Sequence, residues 1–130
     1  MKWFLDYMES HDDGAGWVLW YGILRGGGGD DRVVVGNGGF KGKPAPDGTA
    51  EVGYSVLEEF QGRGYATEMT RALVAWAFSH PRVTRVVAET YPELTRSIRV
   101  MEKCGMRFVG PGSEEKVIRY GVERERWARP

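Results

Sequence analysis

The segment Gln61-Gly62-Arg63-Gly64-Tyr65-Ala66 constrains this chain most, because it joins a strand-like run to a helix-like one. Ahead of it, Glu51-Val-Gly-Tyr-Ser-Val-Leu57 alternates in the manner of a long strand. Behind it, Ala66, Met69, Leu73, Trp76 and Ala77 fall on one stripe of a helix that His80-Pro81 ends. Two glycines in such a turn permit backbone angles closed to other residues and let the chain approach a ligand. The helix that follows aims its first unpaired N–H groups and the positive end of its dipole into the same space. Arg63 adds a cation and Thr67 a hydroxyl. The arrangement suits a phosphate or pyrophosphate, and the same residues would also serve as a tight turn before a capped helix. Neither GxxxxGK[ST] nor a full GxGxxG occurs, which argues against nucleotide hydrolysis and dinucleotide redox chemistry.

The rest of the chain is read as one α/β domain over residues 1–130, since two domains would each approach the size at which a core barely offsets chain entropy. Lys2 to Ser10 spaces Trp3, Phe4, Tyr7 and Met8 for a helix. Gly16 to Arg25, and Val33 to Val35 plus the Phe40 region, suit two antiparallel strands. The run Gly26 to Asp31 joins those strands and precedes no helix, so it reads as a hairpin and not a phosphate loop. Val83 to Thr90 is predicted as a strand, and Leu94 to Cys104 as a helix burying Ile98 and Met101 and stopped by Gly105. Met106 to Val109 and Lys116 to Val122 close the sheet, and Glu123 to Pro130 reads as a solvated tail.

Composition excludes several classes of function. Basic and acidic residues number 18 each, so no overall positive field draws the chain to nucleic acid or an anionic membrane. No apolar run is long enough to cross a bilayer. Residues 1–31 carry a net −4 and the remainder +4, so an anionic ligand is expected in the later part. The single cysteine, Cys104, excludes an internal disulfide and reads as a small core residue; with no signal-peptide pattern at the start, cytoplasm is the expected location.

The motifs resemble those of the GNAT superfamily of N-acetyltransferases, and within it the branch that acetylates the N-termini of ribosomal proteins. Gln61 to Ala66 matches that family's Q/R-x-x-G-x-G/A pyrophosphate motif. Val87-Val-Ala-Glu-Thr90 resembles its fifth strand, and Ser97 to Phe108 resembles the branch's next helix and turn. The resemblance implies a central, mostly antiparallel mixed sheet flanked by helices, whose fourth and fifth strands splay to admit acetyl-CoA, with no metal required. By the same resemblance, backbone groups around Val56 and Leu57 pair with the pantetheine, and Gln61, Gly62, Arg63, Gly64, Tyr65, Ala66 and Thr67 hold the pyrophosphate. Leu94 and Ser97 face the cofactor, and Glu51 is the candidate base for a primary-amine acceptor. The expected acceptor is a protein N-terminus; the alternatives are a small-molecule or antibiotic amine, or a CoA-binding role with little transfer.

Three departures from the family pattern bear on the site. Leu94 replaces the branch's usual asparagine, and Met101 stands where many members have a tyrosine that acts as the thiolate's acid. The usual first strand and first helix are expected to be missing ahead of Met1, leaving an N-terminally shortened fold. A homodimer is then expected to cover Trp3, Phe4 and Tyr7, using the Lys2 to Ser10 helix or the Trp17 to Ile23 strand. Trp3, Trp17, Trp20 and Tyr21 are read chiefly as core, and His11 and His80 as a loop residue and a helix-terminal cation.

Overall fold

A computed structural model of the chain describes residues 2–7, 20–25 and 32–127. Seven strands form one sheet: β1 (Lys2–Tyr7), β2 (Trp20–Arg25), β3 (Arg32–Phe40), β4 (Thr49–Val56), β5 (Arg85–Thr90), β6 (Arg107–Pro111) and β7 (Ile118–Glu123). Their spatial order is β1-β2-β3-β4-β5-β7-β6. Every neighbouring pair is antiparallel except β4 and β5, which run parallel. Three α-helices complete the described residues: α1 (Tyr65–Phe78), α2 (Thr95–Lys103) and the short α3 (Arg124–Trp127).

The core lies between the sheet and α1. Met69, Leu73, Val74, Ala77 and Phe78 of α1 are buried against Ala50, Val52 and Val56 of β4 and Val86 and Ala88 of β5. Burial along β4 alternates, so Thr49, Glu51 and Gly53 look away from α1 while Ala50 and Val52 lie beneath it. That alternation gives the sheet two chemically different faces at the same strand.

Three expectations are corrected. Lys2 to Tyr7 is a strand and not a helix, paired over its whole length with β2 in register Lys2↔Arg25 to Tyr7↔Trp20. Its aromatics at positions 3, 4 and 7 satisfy a short helical stripe, but pairing with a distant strand decides the matter. β2, bounded by β1 and β3, therefore offers no free edge to a second copy. The tail is also held as far as Trp127, the last described residue: Arg124 donates to the carbonyls of Val83 (2.8 Å) and His80 (2.6 Å), and the Trp127 ring lies 6.0 Å from that of Phe78. The Gly26–Asp31 connection, His11 and Trp17, and the side chains of Trp3, Trp20 and Tyr21, lie outside the described residues.

Candidate active site

The parallel strands β4 and β5 pair at only three positions, Thr49↔Arg85, Ala50↔Val86 and Glu51↔Val87. Beyond Glu51, β4 continues to Val56 and β5 to Thr90 without pairing each other, so a wedge opens inside the sheet. Along β4 the odd residues serve β3: Glu51 O accepts from Lys41 N at 2.9 Å, and Leu57 N donates to Val35 O at 2.8 Å. The even residues Tyr54 and Val56 therefore turn their backbone groups toward the wedge. Leu57, expected to pair with the pantetheine, has both backbone groups bonded within the protein. Its N–H is committed to Val35, and its carbonyl accepts from Phe60 N at 2.8 Å. Val56 presents its N–H, while its carbonyl accepts from Gln61 Nε2 at 3.0 Å.

The wedge leads into a cavity of about 800 Å³ between β4, the glycine loop, α1 and α2. Gln61, Gly62, Gly64, Tyr65, Ala66 and Thr67 all line it; Leu94 and Ser97 face them from the α2 side. Gly62 and Gly64 have φ of +79° and +84°, and a Cβ added to either would meet nothing within 4 Å. Both positions thus demand glycine for backbone reasons and leave open space in front. Gly64 caps α1 through its backbone alone, with no side chain over the first turn. Such a helix start accepts an anion. Arg63 does not line the cavity; its guanidinium lies 5.8 Å from the centre of the Phe60 ring.

Cations line the cavity from a second direction. Arg96, Arg99 and Lys103 lie along one face of α2, and Arg96 Nη1 donates to Gln61 Oε1 at 3.2 Å. Their i, i+3, i+7 spacing is visible in the sequence but carries no motif. Tyr54, which the alternation of β4 offered with Ser55 as a residue near the cofactor, also lines the cavity. Its hydroxyl donates to Ser97 O at 3.1 Å and lies 3.1 Å from Ser97 Oγ. Burial is the main cause that pushes the phenol up to about 12, against the pull of Ser97, so it keeps its proton. Met101 is fully buried, and Cys104 is a core thiol that burial raises to about 11.

Glu51 lies on the opposite face of the sheet, at the last paired position before the wedge. Lys41 Nζ stands 2.9 Å from its Oε2 and Arg119 Nη2 4.0 Å from its Oε1. It borders a second cavity of about 550 Å³ with Lys41, Lys43, Val87, Val109 and Arg119. His80 ends α1 with Nδ1 3.0 Å from Trp76 O, in keeping with a helix-terminal role. Among the described residues no cluster of three or more His, Cys, Asp or Glu could hold a metal ion, and no helix is long and apolar enough to cross a membrane.

The chain is similar to known proteins. The family model described as an acetyltransferase (GNAT) domain matches residues 1–107. An FsC-acetyl coenzyme A-N(2)-transacetylase of Aspergillus fumigatus is 36% identical over 89 residues, covering 61% of this chain and 38% of that protein. A GNAT-family acetyltransferase from Bacillus anthracis superposes with a TM-score of 0.69 at 30% identity, over 82% of this chain and 66% of that one. A spermidine N-acetyltransferase from Vibrio cholerae, solved with CoA and spermine, shares the fold at a TM-score of 0.72 and 16% identity, over 92% of this chain and 71% of that one. The chain thus spans well under half the length of the fungal relative. With the split sheet, the glycine loop and the match to residues 1–107 in agreement, the chain belongs to the GNAT acetyltransferase family.

Proposed function

We propose that the protein moves an acetyl group from acetyl-CoA to a primary amine by direct attack in a ternary complex. The carrying observation is the end of β4–β5 pairing at Glu51↔Val87, with an anion-suited cavity on one face of the sheet and the Glu51 carboxylate on the other. In this reading the pyrophosphate lies on Gly62 to Thr67 with α2 cations beside it, and the pantetheine pairs with the free edge at Tyr54 and Val56. The amine nitrogen attacks the thioester carbonyl, the C–N bond forms as the C–S bond breaks, and Glu51 takes the amine's proton directly or through water. Tyr54 is the hydroxyl placed to return a proton to the thiolate, a role that buried Met101 cannot fill. No step calls for a metal.

A protein N-terminus remains the first acceptor proposed, by resemblance to the ribosomal-protein branch; a small or antibiotic amine is the alternative. Release of CoA thiol from acetyl-CoA, measured with and without a panel of amines, tests the reaction. Amine-dependent release supports transfer. Binding of acetyl-CoA with no response to any amine would instead leave a CoA-binding protein. A homodimer is also proposed, now through β6, an outer strand of the sheet on which Phe108 and Val109 are 59% and 58% exposed. The mass of a single chain at every concentration in light scattering would overturn it. Cytoplasmic location rests on the lone cysteine and stays part of the proposal.

A further inference from the structure

The two walls of the cavity beside the glycine loop meet an anion in different ways. The loop side offers backbone N–H groups and the start of α1, while its own cation, Arg63, is turned aside to the Phe60 ring. The α2 side offers long cationic side chains, Arg96, Arg99 and Lys103, all exposed. Arg96 is engaged by Gln61 Oε1, 3.2 Å from its Nη1. Arg99 and Lys103 differ. Among the described residues neither side chain has a hydrogen bond, an ion pair or a ring contact.

The direction of α2 places these two cations relative to a bound cofactor. Its first turn stands at the wedge, where the Tyr54 hydroxyl donates to Ser97 O at 3.1 Å. Its last turn stands against the start of α1: Arg71 Nη2 donates to Lys103 O at 2.9 Å, and Cys104 Sγ lies 3.6 Å from Thr67 O. The rise from Ser97 to Lys103 is about 9 Å along the helix axis. A cofactor with its pantetheine at Tyr54 and its pyrophosphate on Gly62 to Thr67 therefore runs along α2 from Ser97 toward Lys103. Its nucleoside end falls on the side of Arg99 and Lys103.

Acetyl-CoA carries a second anion at that end. The 3′-phosphate of its ribose is a monoester, with a charge of about −1.5 to −2 at pH 7. The loop and the start of α1 supply one anion site. Two unengaged cations on the facing helix suit another, since bonds between a cation and a phosphate are among the strong ones. We propose that Arg99 and Lys103 form a subsite for the 3′-phosphate, so that the protein selects CoA over dephospho-CoA. The inference rests on the acetyl-CoA reading and adds a second anion site to it.

Calorimetric titration with CoA and dephospho-CoA, which differ only in that phosphate, tests the subsite on the parent, Arg99→Gln, Lys103→Gln and the double variant. The parent should bind CoA roughly tenfold more tightly than dephospho-CoA. Each single variant should lose about threefold or more in CoA affinity, and the double variant should bind the two ligands alike. Dephospho-CoA affinity should stay within about twofold throughout, which also shows that each variant is folded. Equal affinity of the parent for both ligands would overturn the subsite. So would a parallel loss of both ligands in variants that keep the parent's melting temperature, because it assigns the cations to the pyrophosphate. Either result leaves the acetyl-CoA reading standing, whereas no binding of either ligand by the folded parent would overturn both.

Discussion

Arg119 holds Glu89 through two nitrogens, Nε at 2.8 Å and Nη2 at 2.7 Å, at a height where β5 has already parted from β4. Ser113, in the connection between β6 and β7, completes the grip on the same carboxylate. Glu89 therefore ties that connection and Arg119 to the open part of the sheet, and Arg119 in turn faces Glu51. Charge-assisted bonds of this kind, with the carboxylate side chain only 7% exposed, resist screening.

Glu89→Gln should lower stability by about 1–3 kcal/mol, the range for lost bonds to a charged group. Burial alone would raise the Glu89 carboxyl, but the Ser113 and Arg119 bonds outweigh it and hold the group below its ordinary value. A lowered folded-state value stabilises the fold above the ordinary carboxylate range, and the contribution is lost as pH falls through the folded value. The melting-temperature gap between the parent and Glu89→Gln should thus be steady near neutrality and close as the pH falls below the ordinary carboxylate range and through the lowered folded-state value. A gap independent of pH would show that charge is not what holds this connection.

Gly64→Ala should weaken acetyl-CoA binding and also cost about 1–2 kcal/mol of stability, because a residue with a Cβ is strained at φ +84°. The added carbon meets no protein atom, so any loss of affinity in the folded variant reports on ligand approach. Gly53→Ala supplies the control, being equally open at a strand position without positive φ. Calorimetric titration with acetyl-CoA decides it: equal affinity for parent and Gly64→Ala would remove the loop from the site.

The loop was legible in the sequence because it rests on local signals, whereas the wedge was implied only by the family resemblance. Alternation from Glu51 to Val56, two glycines and the stripe from Met69 to Ala77 lie within one contiguous stretch. What the sequence could not reveal depends on distant partners. Lys2–Tyr7 satisfies a helical stripe over so few residues that only β2, about twenty residues on, settles it as strand. Leu57 N is taken up by Val35 O on the neighbouring strand, and Glu89 gains its grip from residues 24 and 30 positions away. The α2 cations were readable as spacing, yet only the cavity gives that spacing a meaning.

Leu94→Asn should both stabilise α2 and tighten acetyl-CoA. Leu94 is the N-cap of α2, makes no side-chain cap bond and is 49% exposed, so it is not a core residue whose loss would offset the gain. An asparagine cap contributes about 1 kcal/mol, and an amide reaching the pantetheine would add about 0.5–1.5 kcal/mol of affinity. Melting temperature and titration separate the two effects. A stabilised variant with unchanged affinity would assign position 94 to the helix alone.

Glu51→Gln should lower turnover with a good amine by about 10²–10⁴-fold, the usual contribution of a positioned base. Acetyl-CoA affinity should change little, since Glu51 borders the cavity opposite the one lined by the glycine loop. Stability should also hold, because the lost partner Lys41 has a side chain 66% exposed and can return to water. Glu51 is what raises the Lys41 ammonium above its ordinary value, chiefly through their hydrogen bond. In Glu51→Gln that ammonium should titrate lower, a change observable by NMR of the lysine side chain. A large fall in turnover together with this shift, in a folded protein with intact cofactor binding, assigns the proton acceptor; a fall of less than about threefold would return Glu51 to the role of a cross-strand ion pair.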